Sequence, residues 1–405
     1  MIRDRHTALV LELLRRRRRM TRSQLVRATG LSVPTISSIL RGLEQRHLVA
    51  RTEAAAGSRG RKAEVFELAQ SACHALAVHV AVQSISVAVV DLGGSIRLRK
   101  TVPARYLETG EPFVRQVAEV TREAVQEAAD RGLRLDGVGV SFPGVVDEES
   151  RISLAPNIGG EGLDLVGPLR EAAGGLPVFV DNDARLGTLA EVWWGTEPPP
   201  PTVVFIMADY GVGAGIAVDG KVLRGKDSAA GDIGHAVIDP GGERCRCGQF
   251  GCLETFVSFP ALLRRIERSS RLGRPTSLLP EGARALDAPS LDRIVDAALA
   301  GDQVARDALI DAGRYLATAV SIVNVLVAPD VVYLGGTISR AFEIVAGPIE
   351  EILHNRGPEL HRRGARVVPA TFRESNSLMG AAALVHQHCL EQAGLRGQTT
   401  GGARR

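Results

Sequence analysis

The sequence predicts an α/β protein that opens with a winged helix-turn-helix. Three observations predict it: a strongly basic N-terminal segment, two short helical patterns joined by a glycine turn, and apolar strands that alternate with helices afterwards. The 405-residue chain carries a net charge of +3, yet through Lys62 fifteen Lys and Arg face only four acids. That head is therefore +11 and the remaining 343 residues are −8. A basic head on an acidic body suits a polyanion-binding module joined to one that does not bind polyanions. The length suits two or three domains, and 45% hydrophobic content is ordinary for a soluble globular protein.

Residues 1–69 form the predicted head. A first helix is expected from Thr7 to Arg18, with Leu9, Val10, Leu13 and Leu14 on one face. Thr21-Arg22-Ser23-Gln24 is a capping box for a second helix that ends at Gly30. Ser32 caps a third, Pro34 is tolerated in its first turn, and Ile36, Ile39, Leu40 and Leu43 form its buried stripe. Thr35, Ser37, Ser38 and Arg41 remain outside, where the start of a recognition helix meets base edges in a major groove. Leu48 to Arg51 and Val65 to Leu68 read as a hairpin wing whose tip carries Arg59, Arg61 and Lys62 for phosphates or a minor groove. The Arg15 to Arg19 run, just before the capping box, is a candidate for phosphate contact; it also fits a solvated helix end. A basic three-helix bundle that binds protein or RNA is the competing reading of the head.

Residues 71–393 form the predicted body. Ala77 to Val90 is strand-rich, one strand or a hairpin, and ends at Asp91-Leu92-Gly93-Gly94. A helix over Pro112 to Arg131 precedes strands at Gly137 to Ser141 and Pro177 to Val180. Another strand, Thr202 to Met207, leads to a Gly-rich segment, helices around 290–328, and a strand at Val331 to Leu334 closed by Gly335-Gly336. Such alternation places ligands at strand ends. The segment 268–290 reads as the longest loop, and 396–405 as a tail without fixed structure. No apolar run approaches the ~20 residues of a membrane span.

His235 with Cys245, Cys247 and Cys252 supplies one imidazole and three thiolates, a closed tetrahedral set suited to structural zinc. Gly248 and Gly251 allow a tight wrap between the thiolates. A reactive dithiol or a disulfide would use the same cysteines. Cys73 and Cys389 lie apart from this cluster and read as ordinary buried thiols. Five cysteines, three of them within eight residues, are too few and too clustered for a disulfide framework, which points to a reducing cytoplasm.

The run from Gly231 to Glu254 resembles the signature of the ROK family (repressors, open reading frames, kinases). Ser141 to Asp147, Ala155-Pro156-Asn157, Asn182-Asp183-Ala184 and Val332 to Gly336 extend the resemblance, and the head is similar to that of the family's repressor branch at Thr29 to Ser32, Pro34 to Ser37 and Gly60 to Ala63. The resemblance implies a two-lobed, actin-like ATPase fold of the sugar-kinase type, with a sugar held between the lobes beside zinc. It implies that Asn157, Asn182, Asp183, Asp232, His235 and Glu254 bind the sugar, and that Asp183 would be the general base in a kinase. Asp232 stands where the family usually has glutamate. Arg185 stands where its kinases have asparagine, and its charge suits either an acidic or phosphorylated sugar or an ion pair with a nearby acid.

Two phosphate-binding turns depart from the family's kinases. The Asp-x-Gly-Gly-Thr-like turn falls on His79-Val80-Ala81-Val82-Gln83, and the Gly-Thr-Gly-x-Gly turn on Asp209-Tyr210-Gly211-Val212-Gly213. Side chains replace the glycines that let backbone amides approach phosphate, and Asp209 adds a repelling charge. The expectation is a non-enzymatic, sugar-modulated repressor of sugar-metabolism genes with a vestigial base at Asp183. It binds a double-stranded DNA operator as a homodimer or homotetramer. An active ATP-dependent sugar kinase with a DNA-binding head is the alternative. A DNA-binding protein whose body only dimerises and answers to a partner protein is the third.

Overall fold

The computed structural model describes residues 2–53, 64–104, 110–155, 158, 160–196, 198–279, 290–356 and 365–395. The head contains α1 (Ile2–Arg17), β1 (Arg19–Thr21), α2 (Arg22–Thr29), α3 (Val33–Gln45), β2 (Val49–Glu53) and β3 (Glu64–Leu68). Each helix end has the local cause the sequence suggests. Thr21 Oγ1 accepts from the Gln24 amide at 3.3 Å, and Gln24 Oε1 accepts from the Thr21 amide at 2.7 Å. Gly30, at φ +69°, ends α2 in the left-handed region that a side chain would resist. Ser32 Oγ accepts from the Thr35 amide to start α3. Ile36, Ile39, Leu40 and Leu43 are buried.

Three boundaries differ from expectation. The first helix begins at Ile2 rather than Thr7, because its N-terminal turns pack against the body. The wing is a three-stranded sheet in the order β1-β3-β2, with Met20 opposite Phe66. The expected loop at 268–290 starts late, since helix continues to Arg271. The wing tip with Arg59, Arg61 and Lys62, the segment 280–289 and the tail 396–405 lie outside the described residues.

The body is two lobes of like topology. In the first, β4 (His74–Val80), β5 (Ser84–Asp91) and β6 (Ile96–Pro103) form an antiparallel meander, so the strand-rich stretch is a hairpin. After α4 (Glu111–Asp130), β7 (Gly137–Phe142) joins parallel to β4. A small sheet of β8 (Val145–Val146), β9 (Ile152–Ala155) and β10 (Gly160–Glu161) and the helix α5 (Val166–Ala172) then lead to β11 (Val178–Asn182), parallel to β7. α6 (Asp183–Trp194) crosses to the second lobe. There β12 (Thr202–Ala208), β13 (Val212–Val218) and β14 (Lys221–Val222) make a second meander. Helices α7 (Glu254–Val257), α8 (Phe259–Arg271), α9 (Leu291–Leu299) and α10 (Gln303–Leu326) follow. β15 (Val331–Gly335) then pairs parallel with β12, α11 (Phe342–Arg356) intervenes, and β16 (Arg366–Pro369) closes the edge. The orders β11-β7-β4-β5-β6 and β14-β13-β12-β15-β16 each place the parallel strands beside the meander. α10 is long and apolar enough to cross a bilayer, but it packs among α8, α9 and α11 in the second lobe's core.

The final helix, α12 (Asn376–Leu395), returns to pack on α6, β4, β7 and α1. Two glycines permit these approaches. A Cβ at Gly380 would stand 1.8 Å from the Leu186 carbonyl oxygen, and one at Gly139 would stand 1.9 Å from that of Ala381. One apolar core therefore runs from Leu11 and Leu14 in the head through Leu186 and Trp193 to Leu390. Two arginines of the run serve this junction. Arg15 stacks over Trp193 at 5.1 Å and donates to the Val192 carbonyl, and Arg18 donates to that of Gly195. Arg19 pairs with Glu67. These three arginines hold protein, contacts that the sequence reading of the run did not include.

Gly380→Ala is expected to lower stability in urea unfolding by about 1–3 kcal/mol, since a backbone carbonyl cannot yield as a side chain does. Gly42→Ala, with nothing within 4 Å of the added carbon, is expected to raise it by about 0.5–1 kcal/mol through helix propensity.

Candidate functional site

The C-terminal ends of β4, β11, β12 and β15 meet at a cavity of about 790 Å³ between the lobes. His79 and Gln83 from the first hairpin, Asn182 and Asp183 at the start of α6, and Asp209 to Gly213 from the β12–β13 turn line it. Asp232, His235 and Glu254 face it from the second lobe. Five of the six residues expected around the ligand thus share one cavity; Asn157 lies outside the described residues.

Asn182 is the N-cap of α6. Its Oδ1 accepts from the Ala184 and Arg185 amides at 3.0 and 3.1 Å, and its Nδ2 donates to the Gly144 carbonyl at 3.0 Å. One amide hydrogen is left over. Asp183 is 6% exposed. Burial pushes its carboxyl up to about 7 against the Ala184 amide that it accepts from, and the neighbouring charge of Asp209 adds to the rise. Glu254 accepts from the Val212 amide at 3.1 Å, and burial raises its carboxyl above the ordinary value. Asp232 is raised by burial too, opposed by His235 and Arg185.

In the two turns expected to face phosphate, side chains of the chain itself make local contacts. His79 Nδ1 lies 3.0 Å from Ser141 Oγ, and burial, with Arg99 nearby, lowers the imidazole to about 4, so it is neutral. Asp209 accepts from the Thr337 amide at 2.9 Å, and its other oxygen lies 2.6 Å from where a Gly336 Cβ would be. A carboxylate therefore sits in the Gly335-Gly336-Thr337 turn, with its carboxyl raised to about 6 by burial. Tyr210 packs its ring on Phe259 at 4.7 Å, and its buried hydroxyl has no partner among the described residues.

Arg185 points away from this cavity's polar rim. It is 3% exposed and donates to Asp181, to the Ser228 carbonyl at 2.7 Å and to the Val146 carbonyl at 2.6 Å. Arg224 closes on the same Asp181. The ion-pair alternative holds, and nothing in this arrangement offers the Arg185 charge to an acidic sugar.

At the rim, His235, Cys245, Cys247 and Cys252 bring their donor atoms within 4.8 Å of one another. Cys247 and Cys252 are 3.6 Å apart at sulfur, and Cys245 Sγ lies 3.7 Å from His235 Nδ1. Metal–sulfur bonds of ~2.3 Å in a tetrahedron set sulfurs about 3.8 Å apart, so the four residues could hold a metal ion. Gly251, at φ +70°, packs against the Asp239 carbonyl oxygen with 1.5 Å to an imagined Cβ, and the Cys252 turn depends on that absence. The other two cysteines are free thiols apart from this cluster, Cys73 buried and Cys389 half-buried, and they meet each other at 2.7 Å between sulfurs.

In the head, Ser38 and Arg41 are exposed on α3 and Thr35 and Ser37 are half-buried, with Thr35 Oγ1 2.8 Å from Ser32 Oγ in the cap. Val33, 55% exposed at the first turn of α3, is an apolar side chain that the sequence reading passed over. An exposed valine at the start of a capped helix was the available signal, and it suits a thymine methyl.

A model of the ROK family matches residues 75–388. The chain belongs to the ROK family. The N-acetylglucosamine repressor of Shigella flexneri is 27% identical over 398 residues, covering 96% of this chain and 94% of that one. The crystal structure of a ROK family transcriptional regulator, a homologue of the E. coli MLC protein, shares the fold at a TM-score of 0.79 and 29% identity, covering 97% of this chain and 98% of that one. A ROK family glucokinase from Streptomyces griseus, in complex with glucose and AMPPNP, superposes at a TM-score of 0.69 and 28% identity; it covers 78% of this chain and 99% of its own. The regulator matches head and body, the kinase the body.

The raised Asp183 carboxyl has a stability consequence with a defined sign. A folded value near 7 against an ordinary 3.8 means that the folded chain favours the protonated acid. Its contribution is complete below pH 3.8 and is lost as pH rises through about 7. Asp183→Asn is expected to melt higher than the parent at pH 8, with the difference shrinking towards pH 4, as read by calorimetry across that range.

Proposed function

We propose that this ROK family chain is a DNA-binding transcriptional regulator, a repressor of sugar-metabolism genes, whose interlobe cleft binds a sugar and whose rim holds structural zinc. The observation that carries the reading is a winged helix-turn-helix and a sugar-kinase-type body on one apolar core, with a solved regulator matching 97% of the chain. Ser38, Arg41, Thr35, Ser37 and Val33 present the start of α3 to base edges, and Arg59, Arg61 and Lys62 extend the wing to the backbone. The protein acts as a homodimer or homotetramer on a two-fold operator, in the cytoplasm.

Within the cleft, the Asp183 and Glu254 carboxyls accept from sugar hydroxyls, joined by Asp232 and by the remaining Asn182 hydrogen; Asn157 is the further sugar contact that the family resemblance implies. Zinc, when bound by His235, Cys245, Cys247 and Cys252, would supply a rigid cross-link for the segment between β14 and α7. His235 is then left one ring nitrogen for the ligand. No phosphate transfer follows, because Asp209 fills the amide turn that phosphates need and His79 and Gln83 replace the other. The kinase alternative draws on one feature, the buried Asp183 with its carboxyl near 7, a value suited to a general base.

Three measurements test this reading. A panel of hexoses and N-acetylhexosamines is expected to contain a ligand that raises the melting temperature and changes operator affinity. Asp183→Asn is expected to weaken that ligand by about tenfold or more, the cost of one charge-assisted hydrogen bond; an ATP-dependent turnover of any panel sugar would overturn the non-enzymatic reading. Protein purified without chelator is expected to carry one zinc per chain, and Cys247→Ser to lose it along with thermal stability.

A further inference from the structure

The sulfurs of Cys73 and Cys389 lie 2.7 Å apart although 316 positions separate them in sequence. Cys73 follows the last wing strand by a single turn, Gln70–Ala72, and stands at the entry to β4. Cys389 lies on the stretch of α12 whose next residues, Leu390 and Glu391, reach the head beside Leu11 and Glu12. The pair thus joins the linker between head and body to the helix on which the head rests.

Two chemistries could use such a pair. With Asp136, the two sulfurs form a set whose donor atoms lie within 4.8 Å of one another, and His386 Nδ1 is 3.3 Å from Cys73 Sγ. A tetrahedral metal, however, holds two thiolates about 3.8 Å apart, the spacing approached by Cys247 and Cys252 at 3.6 Å. At 2.7 Å the Cys73 and Cys389 sulfurs are too close for that and much nearer to a covalent bond.

We infer that Cys73 and Cys389 are a dithiol that a hydroperoxide oxidises reversibly to a disulfide, fastening the domain linker to the C-terminal helix. Cys389, half-buried, is the thiol a peroxide reaches. Its sulfur attacks the terminal oxygen, the O–O bond breaks, and the thiol proton leaves with the departing oxygen as alcohol or water. Cys73, fully buried and already donating its thiol hydrogen towards Cys389, is the resolving partner. Its sulfur attacks the Cys389 sulfenic acid, the S–S bond forms, the S–O bond breaks, and the Cys73 proton leaves with the hydroxyl as water. The pair loses two electrons and the peroxide gains them. The contact with Cys389, then burial, raises the Cys73 thiol, which fits a group that acts second.

The test treats full-length, zinc-loaded protein with a slight excess of hydrogen peroxide, alkylates remaining thiols, and maps peptides by mass spectrometry. The expected product is a Cys73–Cys389 linked peptide pair that dithiothreitol separates, with two hydrogens lost per chain and zinc content unchanged. Closing so long a loop constrains the unfolded chain, so the oxidised protein is expected to melt several degrees above the reduced one. Cys389→Ser, at the half-exposed position, abolishes both effects even if Cys73→Ser proves too damaging to fold. Cys389 found as sulfinic acid without a link, oxidation confined to the zinc cysteines, or a second metal ion that Cys389→Ser loses would each overturn the inference. None of these readouts uses sugar or DNA, so their failure leaves the proposed function standing.

Discussion

The close crossing of α6 and α12 is the contact on which the rest of the molecule depends. It exists because Gly380 lets α12 lie against the Leu186 carbonyl and because Gly187 clears the Phe205 ring. Polar bonds then fix the angle. Asn376 donates to the Gly187 carbonyl and to Glu191, and Glu191 also receives the Thr371 amide and hydroxyl. Every acceptor in that buried set has a partner, which is the condition under which buried polar groups specify a geometry. The crossing unites three bodies at once: α6 starts on the first lobe's last strand and packs on the second lobe's sheet, and α12 returns to the first lobe and meets the head.

One consequence is a short mechanical path. α6 has 12 residues, a length of about 18 Å at 1.5 Å per residue. Its first turn carries Asn182 and Asp183 into the cleft, and its last carries Trp193 and Gly195 to Arg15 and Arg18 of the head. From its first turn, Arg185 gathers Asp181 and Val146 of the first lobe with Ser228 of the second. A buried pair of this kind contributes little net stability, but removing one partner is costly. A change in lobe angle has to alter these bonds, so in the proposed reading a ligand in the cleft and the head at the far end act on a single helix.

Much of this was legible locally. The Thr21–Gln24 box, Gly30 and Ser32 each act within four residues, and each does in the fold what its residue type suggests. The His235 and cysteine spacing is local as well, and so are the glycines that wrap it. What the sequence hid is tertiary. Nothing near Arg15 announces Trp193, and nothing near Cys73 announces Cys389. Asn182 was legible as a cleft residue but not as the cap of α6, because a capping asparagine and a ligand asparagine look alike until the helix start is placed. Met20 gave no strand signal within its arginine-rich surroundings; its place opposite Phe66 comes from the wing sheet.

In the proposed reading, the electrostatics of the cleft account for a kinase-type body that senses rather than transfers phosphate. Asp209 and Asp183 are both buried there, and burial raises both carboxyls. Holding two such acids in one cavity is unfavourable at neutral pH, and the charge of Asp209 raises the Asp183 carboxyl further. A nucleotide would add phosphates to that field, and the Thr337 amide that could receive them already serves Asp209. A neutral polyol adds no charge, and its hydroxyls replace water at Asp183 and Glu254. In the proposed reading, the same electrostatics that exclude phosphate therefore favour a neutral sugar, and binding energy that a kinase directs to its transition state is free to favour one arrangement of lobes and head over another.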